Sequence, residues 1–108
     1  MMVGNLIQEL KDDGLFDNTY IFFFSDHGGP LPRGKRSHYE SGLKVPMIIR
    51  DPHEKTIRYV HDQVSFVDLA PTILSLSGIN IPDHFQGRAF MGDKKKWNFE
   101  RLYLWFRR

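Results

Sequence analysis

Cysteine is absent from this chain of 108 residues, which excludes disulfide bonds and thiolate metal sites. No hydrophobic run approaches the roughly 20 apolar residues that a membrane-spanning helix needs. An excess of one charge is also missing: the formal net charge is +2, whereas nucleic-acid binding usually requires a concentrated basic face. No secretory signal is visible, because Met1 opens directly into a helical pattern. We therefore expect neither a membrane nor a nucleic acid among the partners.

The residues that are present indicate a globular α/β chain. Hydrophobic residues make up 41% of the sequence and charged residues 26%, a balance that disordered proteins lack. The length suits one small domain or part of a larger one. Residues 19–24, Thr-Tyr-Ile-Phe-Phe-Phe, form a continuous apolar run without alternation. Such a run predicts a strand that is buried on both faces, as in a parallel sheet.

Helical and extended patterns alternate along the rest of the chain. Apolar residues at the i, i+3, i+4, i+7 spacing predict a first helix: Val3, Leu6, Ile7 and Leu10. Gly14 ends this helix, and residues 45–50 predict a second short strand. A second helix is capped by Ser65 or Asp68 and ends at Gly78. Its predicted apolar face contains Leu69, Ile73 and Leu76. The pattern favours an α/β layer.

Asp26 and His27 follow the central apolar run directly, and two glycines come after them. Ligands of open α/β sheets bind just beyond the carboxyl ends of the strands, where these two side chains are expected. A carboxylate beside an imidazole at such a turn is suited to holding a metal or handling a phosphate or sulfate group. An ordinary exit from a strand, with Asp26 capping a turn and His27 in solvent, explains the same residues.

Three motifs follow one another in this part of the chain: Asp26-His27-Gly28, then Gly34-Lys35, then residues 39–46, Tyr-Glu-Ser-Gly-Leu-Lys-Val-Pro. Together they resemble the sulfatase family of the alkaline-phosphatase superfamily. That family has a Ser-Asp-(Asn or His)-Gly strand end, a Gly-Lys loop and Glu-x-Gly-x-x-(Val)-Pro. Residues 66–74 and 86–90 resemble its next helix and the segment after it. Each motif alone is weak, whereas five in the right order are strong.

The resemblance implies roles for specific residues. Asp26 and His27 would be two ligands of the active-site divalent cation, which is usually calcium in sulfatases. Because calcium prefers oxygen ligands and imidazole suits zinc or manganese, those two metals stay open. Lys35 would be catalytic and substrate-binding, contacting the sulfate group and the leaving oxygen. His38 lies in the same loop and is a candidate substrate contact, with a solvated loop histidine as the alternative.

One family motif is missing. The sequence contains no Cys-x-Pro-x-Arg or Ser-x-Pro-x-Arg segment, whose first residue becomes the formylglycine nucleophile of sulfatases. The resemblance therefore implies that residues 1–108 are the C-terminal portion of a catalytic domain, with formylglycine expected in a missing N-terminal part. Residues 94–108 are predicted to begin a truncated strand region. The implied fold is a partial alkaline-phosphatase-like parallel sheet with flanking helices.

The resemblance implies a metal-dependent sulfuric ester hydrolase that acts on sulfate esters, including those of sulfated carbohydrate. Without the nucleophile motif, the chain alone is expected to be inactive. Two other interpretations stay open: a phosphatase or phosphodiesterase of the same superfamily, and a non-catalytic anion-binding fragment. The family resemblance implies a periplasmic, secreted or lysosomal location.

Overall fold

A computed structural model describes residues 2–28, 43–57, 59–61 and 63–94 of the chain. The chain divides into two compact units, Met1–Arg58 and Tyr59–Arg108. The first unit contains helix α1 and strands β1 and β2: Met2–Asp12, Ile21–Phe24 and Met47–Arg50. The second contains helix α2, Leu69–Leu76. Short 3-10 helices precede β1 and α2, at Phe16–Asn18 and Phe66–Asp68. The strand region predicted at 94–108 lies outside the described residues after Lys94.

The strands β1 and β2 form a two-stranded antiparallel sheet, in which Ile21 is opposite Arg50 and Phe23 is opposite Ile48. The predicted parallel sheet is not shown, because β2 runs in the direction opposite to β1. The side chains of Phe23 and Phe24 stay 48% and 42% exposed, so burial of both faces is not observed either. The faces of a two-stranded sheet are buried only where other elements pack against them.

Arg50 anchors the segment that leads into β1. Its guanidinium carbon lies 3.6 Å from the centroid of the Phe16 ring, a cation–π contact. The same side chain donates hydrogen bonds to the carbonyl oxygens of Phe16 and Thr19. These contacts fix the 3-10 helix against β2 and thereby define where β1 begins. Upstream, α1 ends as predicted, with Gly14 in the left-handed region at a φ of +69°.

The buried residues of α2 are Pro71, Thr72 and Ser75, and two of these three carry a hydroxyl group. Thr72 and Ser75 are 0% and 1% exposed, whereas Ile73 is 53% exposed. The predicted apolar face of Leu69, Ile73 and Leu76 is therefore not the most buried side of the helix, since its other two members are half-buried. The apolar spacing indicated a helix correctly, but it could not identify which side of the helix would find hydrogen-bond partners.

The partners are main-chain N–H groups of the segment 88–94. Asp68 Oδ1 accepts from the Arg88 N–H at 2.8 Å, and Asp68 Oδ2 accepts from the Ser65 N–H at 3.1 Å. One turn further along α2, Thr72 Oγ1 accepts from the Phe90 N–H at 3.1 Å. Ser75 Oγ then accepts from the Lys94 N–H at 2.8 Å. Three side chains thus tie the backbone of a non-helical segment to α2 and to the 3-10 helix before it, and the two buried hydroxyl groups among them, of Thr72 and Ser75, find partners in this way.

Two glycines allow this close approach. A Cβ atom at Gly87 would lie 1.7 Å from the Val67 carbonyl oxygen, far inside van der Waals contact. Gly92 has a φ of +85°, and a Cβ atom there would lie 2.5 Å from Ser75 Oγ. Both positions therefore require glycine, which has no side chain.

Within the described residues, no helix is long and apolar enough to cross a bilayer.

Candidate metal site

The strand β1 ends at Phe24, and the two predicted metal ligands follow it within three residues. Asp26 is 83% exposed and His27 is 40% exposed, measured on their side chains. The structure therefore places both groups at the carboxyl end of the strand, as the sequence predicted, and within reach of solvent. An ion can approach this position without opening the structure.

The imidazole of His27 is oriented by a hydrogen bond to its own backbone neighbour. Its Nδ1 atom lies 2.7 Å from the Gly28 carbonyl oxygen. Because a carbonyl oxygen only accepts, we assign the hydrogen to Nδ1. The neutral ring then carries its lone pair on Nε2, the nitrogen available to a metal. A backbone carbonyl on the opposite ring nitrogen is the usual support of a metal-binding histidine.

The available nitrogen faces the neighbouring carboxylate. His27 Nε2 and Asp26 Oδ2 are 3.5 Å apart, longer than the roughly 2.7–2.9 Å of a charge-assisted hydrogen bond. Two ligands at about 2.1 Å from one tetrahedral zinc ion are separated by about 3.4 Å. Two ligands at about 2.4 Å from calcium, at a right angle, are also about 3.4 Å apart. The observed separation fits two ligands of one cation and does not distinguish the two metals.

The described residues supply only part of a complete metal site. Within the ranges given above, no cluster contains three or more histidine, aspartate or glutamate side chains in metal-binding proximity. Zinc takes about four ligands and calcium about six to eight. Asp26 and His27 could therefore supply two of them. Lys35 and His38, the predicted sulfate-binding residues, lie outside the described residues, and their roles remain predictions.

A second aspartate–histidine pair lies in the same unit after β2. His53 is 73% exposed, and its Nδ1 atom is 3.3 Å from both Asp51 Oδ1 and the Tyr20 hydroxyl oxygen. Both partners meet the same ring nitrogen, so the imidazole cannot relay a proton between them through its two nitrogens. This geometry gives His53 no catalytic assignment. It does make the pair a useful comparison for the site at Asp26.

The sequence interpretation gave Ser25 no part in the site. In the structure its Oγ atom donates to the His27 carbonyl oxygen at 2.7 Å, across the turn that follows β1. The sequence contained a signal for this bond, because serine hydroxyl groups in turns commonly form hydrogen bonds with backbone groups a few residues away. Ser25 is therefore adjacent to the candidate ligands in space as well as in sequence.

The sulfatase family model matches residues 1–79. The chain is 52% identical over 103 residues to the ulvan-active sulfatase of Formosa agariphila, covering 94% of this chain and 17% of that protein. It is 38% identical over 94 residues to the N-sulphoglucosamine sulphohydrolase of Homo sapiens, covering 85% and 18%. It is 38% identical over 96 residues to the N-acetylglucosamine-6-sulfatase of Bos taurus, covering 83% and 17%. The chain thus spans less than a fifth of the length of these relatives. The family match includes the whole turn that carries Asp26 and His27, and this chain belongs to the sulfatase family.

Proposed function

We propose that this chain supplies part of the active site of a metal-dependent sulfuric ester hydrolase whose substrate is a sulfated carbohydrate. Family membership supports the reaction class. The names of the relatives, which refer to ulvan and to sulfated glucosamine, support the substrate class. The observation that carries the proposal is the pair of donor atoms, Asp26 Oδ2 and His27 Nε2, held 3.5 Å apart beyond β1.

The chemistry of sulfate-ester cleavage explains why such a pair is useful. Negative charge develops on the leaving oxygen as the S–O bond breaks, and a bound divalent cation supplies positive charge there. Asp26 and His27 would hold that cation, with calcium as the first choice and zinc or manganese as alternatives. Lys35 would contact the sulfate and the leaving oxygen, and His38 would be a further substrate contact.

Ser25 is not the nucleophile of this reaction. Its hydroxyl hydrogen is directed at the His27 carbonyl oxygen, 2.7 Å away, and not at a base that could remove it. The sequence has no cysteine and no motif for conversion to formylglycine. We therefore infer that formylglycine has to be provided from outside these 108 residues, and that the chain assayed alone does not turn over sulfate esters.

Metal binding by the purified 108-residue chain tests the ligand assignment. Isothermal titration calorimetry with Ca²⁺, Zn²⁺ and Mn²⁺ is expected to detect binding of at least one ion. The variants Asp26→Ala and His27→Ala should each lose that binding. The matched control is His53→Ala, which removes the other aspartate–histidine pair and should bind like the original chain. Unchanged binding by Asp26→Ala and His27→Ala, or an equal loss in the control, would contradict the assignment.

Turnover is best measured in a chimera in which this chain replaces the matching segment of the Formosa agariphila ulvan-active sulfatase. We expect the chimera to hydrolyse an aryl sulfate in preference to an aryl phosphate. Lys35→Ala should lower its turnover by about 10²–10³, the cost of one lost oxyanion contact. Preference for the phosphate ester would indicate a phosphatase instead. Sulfate binding without turnover would indicate an anion-binding module.

By the same family resemblance we infer a periplasmic, secreted or lysosomal location for the protein. Fractionation of the source cells, followed by mass spectrometry of peptides from this chain, tests that inference. Recovery of these peptides only with the cytosolic fraction would contradict it.

A further inference from the structure

The turn after β1 is held by two hydrogen bonds to successive backbone carbonyls. Ser25 Oγ donates to the carbonyl oxygen of His27 at 2.7 Å. The His27 ring then donates from Nδ1 to the carbonyl oxygen of Gly28, also at 2.7 Å. The first bond fixes the peptide group between His27 and Gly28, and the second fixes the ring relative to the residue that follows. The side chain of Ser25 thus acts on the imidazole through the backbone.

We propose that Ser25 is a positioning residue of the metal site, whose hydroxyl holds the turn in the conformation that keeps His27 Nε2 facing Asp26 Oδ2. This inference rests on the proposed function, because it assumes that these two atoms bind an ion. The proposal gives a role to Ser25, which is not itself a ligand. This role is to determine which ring nitrogen of His27 faces the metal.

Among the described residues, few other contacts constrain this turn. The ladder between β1 and β2 ends at the pair Phe24 and Met47, before the turn. The ring of His27 is 40% exposed, which leaves much of its orientation to hydrogen bonding and not to packing. Gly28 follows and adds backbone freedom. Loss of the Ser25 hydroxyl would therefore release the His27 carbonyl oxygen and the peptide group before Gly28. The Gly28 carbonyl, which is next along the backbone, could then turn away from Nδ1, and the ring could change its tautomer and direction.

Supporting groups of this kind typically change metal affinity by about 10- to 100-fold when they are removed. We expect Ser25→Ala to weaken binding of the ion that the original chain binds by at least about tenfold. Ser25→Thr keeps the hydroxyl on a residue suited to a strand end and should restore most of the affinity. The control is Ser77→Ala, which removes a serine-to-carbonyl bond of 2.8 Å, to Ile73, in the other unit. It should leave the affinity unchanged.

The experiment combines calorimetry with ¹⁵N NMR of the histidine rings, both on the full 108-residue chain. In the metal-free original chain, the His27 ring should carry its hydrogen on Nδ1, and Ser25→Ala should shift it towards a mixture of tautomers. Ser25→Ala with unchanged affinity and an unchanged ring spectrum would overturn the proposal. So would a metal-free original chain whose hydrogen is mainly on Nε2, a measurement that needs no variant to fold.

The two proposals fail in different ways. If the original chain binds an ion and His27→Ala binds it equally well, the ligand assignment fails and the proposed function with it. The tautomer of the metal-free ring continues to test the role of Ser25 in that case. If the original chain binds an ion through His27 and Ser25→Ala binds it equally well, only the positioning role is wrong.

Discussion

Removal of the Thr72 hydroxyl tests how α2 holds the segment 88–94. Thr72 is completely buried, and its Oγ1 atom donates to the Asp68 carbonyl oxygen at 2.6 Å and accepts from the Phe90 N–H at 3.1 Å. Thr72→Val keeps nearly the same shape while deleting both functions. The N–H of the half-buried residue Phe90 is then left without this acceptor.

The expected cost follows from that unsatisfied donor. Leaving a fully buried donor unpaired costs about 1–3 kcal/mol, and the part-buried Phe90 N–H should fall near the lower end of that range. Because about 1.4 kcal/mol corresponds to a factor of ten, a cost of about 1 kcal/mol makes local opening about 5-fold more frequent. The effect should be largest at Phe90. It should be smaller at Arg88 and Lys94, which bond to other side chains of the same row.

Amide hydrogen exchange followed by NMR reads this effect residue by residue. The matched control is Thr72→Ser, which keeps the hydroxyl and loses one methyl group, and should protect the Phe90 amide nearly as well as threonine does. The reasoning is refuted if the Phe90 amide of Thr72→Val exchanges at the original rate. It is also refuted if Thr72→Ser exchanges as fast as Thr72→Val, because a packing defect would then explain both.

Three further outcomes are expected. Gly92→Ala should lower the thermal midpoint more than Gly78→Ala. Both residues have a positive φ, which costs a residue with a side chain about 1–2 kcal/mol. Of the two, Gly92 is the one at which an added Cβ atom would also overlap neighbouring atoms. Equal midpoints would contradict the predicted overlap. Arg50→Lys should destabilise the first unit, because an ammonium group lacks the planar guanidinium that stacks on Phe16 and donates to two carbonyl oxygens. Urea unfolding followed by circular dichroism measures this, and an unchanged urea midpoint would contradict the prediction. The 108-residue chain should self-associate in sedimentation velocity, because Phe23 and Ile48 expose an apolar pair on the sheet. A monomer with a cooperative melt at low concentration would oppose that expectation.

The features that depend on neighbouring residues could be predicted from the amino-acid sequence. The apolar run before Asp26 predicted β1 and placed the candidate ligands just after it, because strand propensity and the glycines that follow are properties of neighbouring residues. Gly14 and Gly78 predicted the ends of both helices, and both have φ close to +70°. The order of the motifs also indicated the sulfatase family, since each motif is a short run of neighbouring residues. The predicted roles of Lys35 and His38 rest on that resemblance alone.

Contacts between groups far apart in the sequence could not be predicted and are visible only in the folded chain. The apolar character of β1 suits a parallel or an antiparallel partner, and only the structure shows that β2 pairs with it antiparallel. Likewise, periodicity could predict α2 but not that Thr72 and Ser75 would be buried while Ile73 faces outwards. Their burial depends on N–H groups about 20 residues further along the chain. The available nitrogen of His27 was fixed in the same way, by the position of one carbonyl oxygen that no residue pattern specifies.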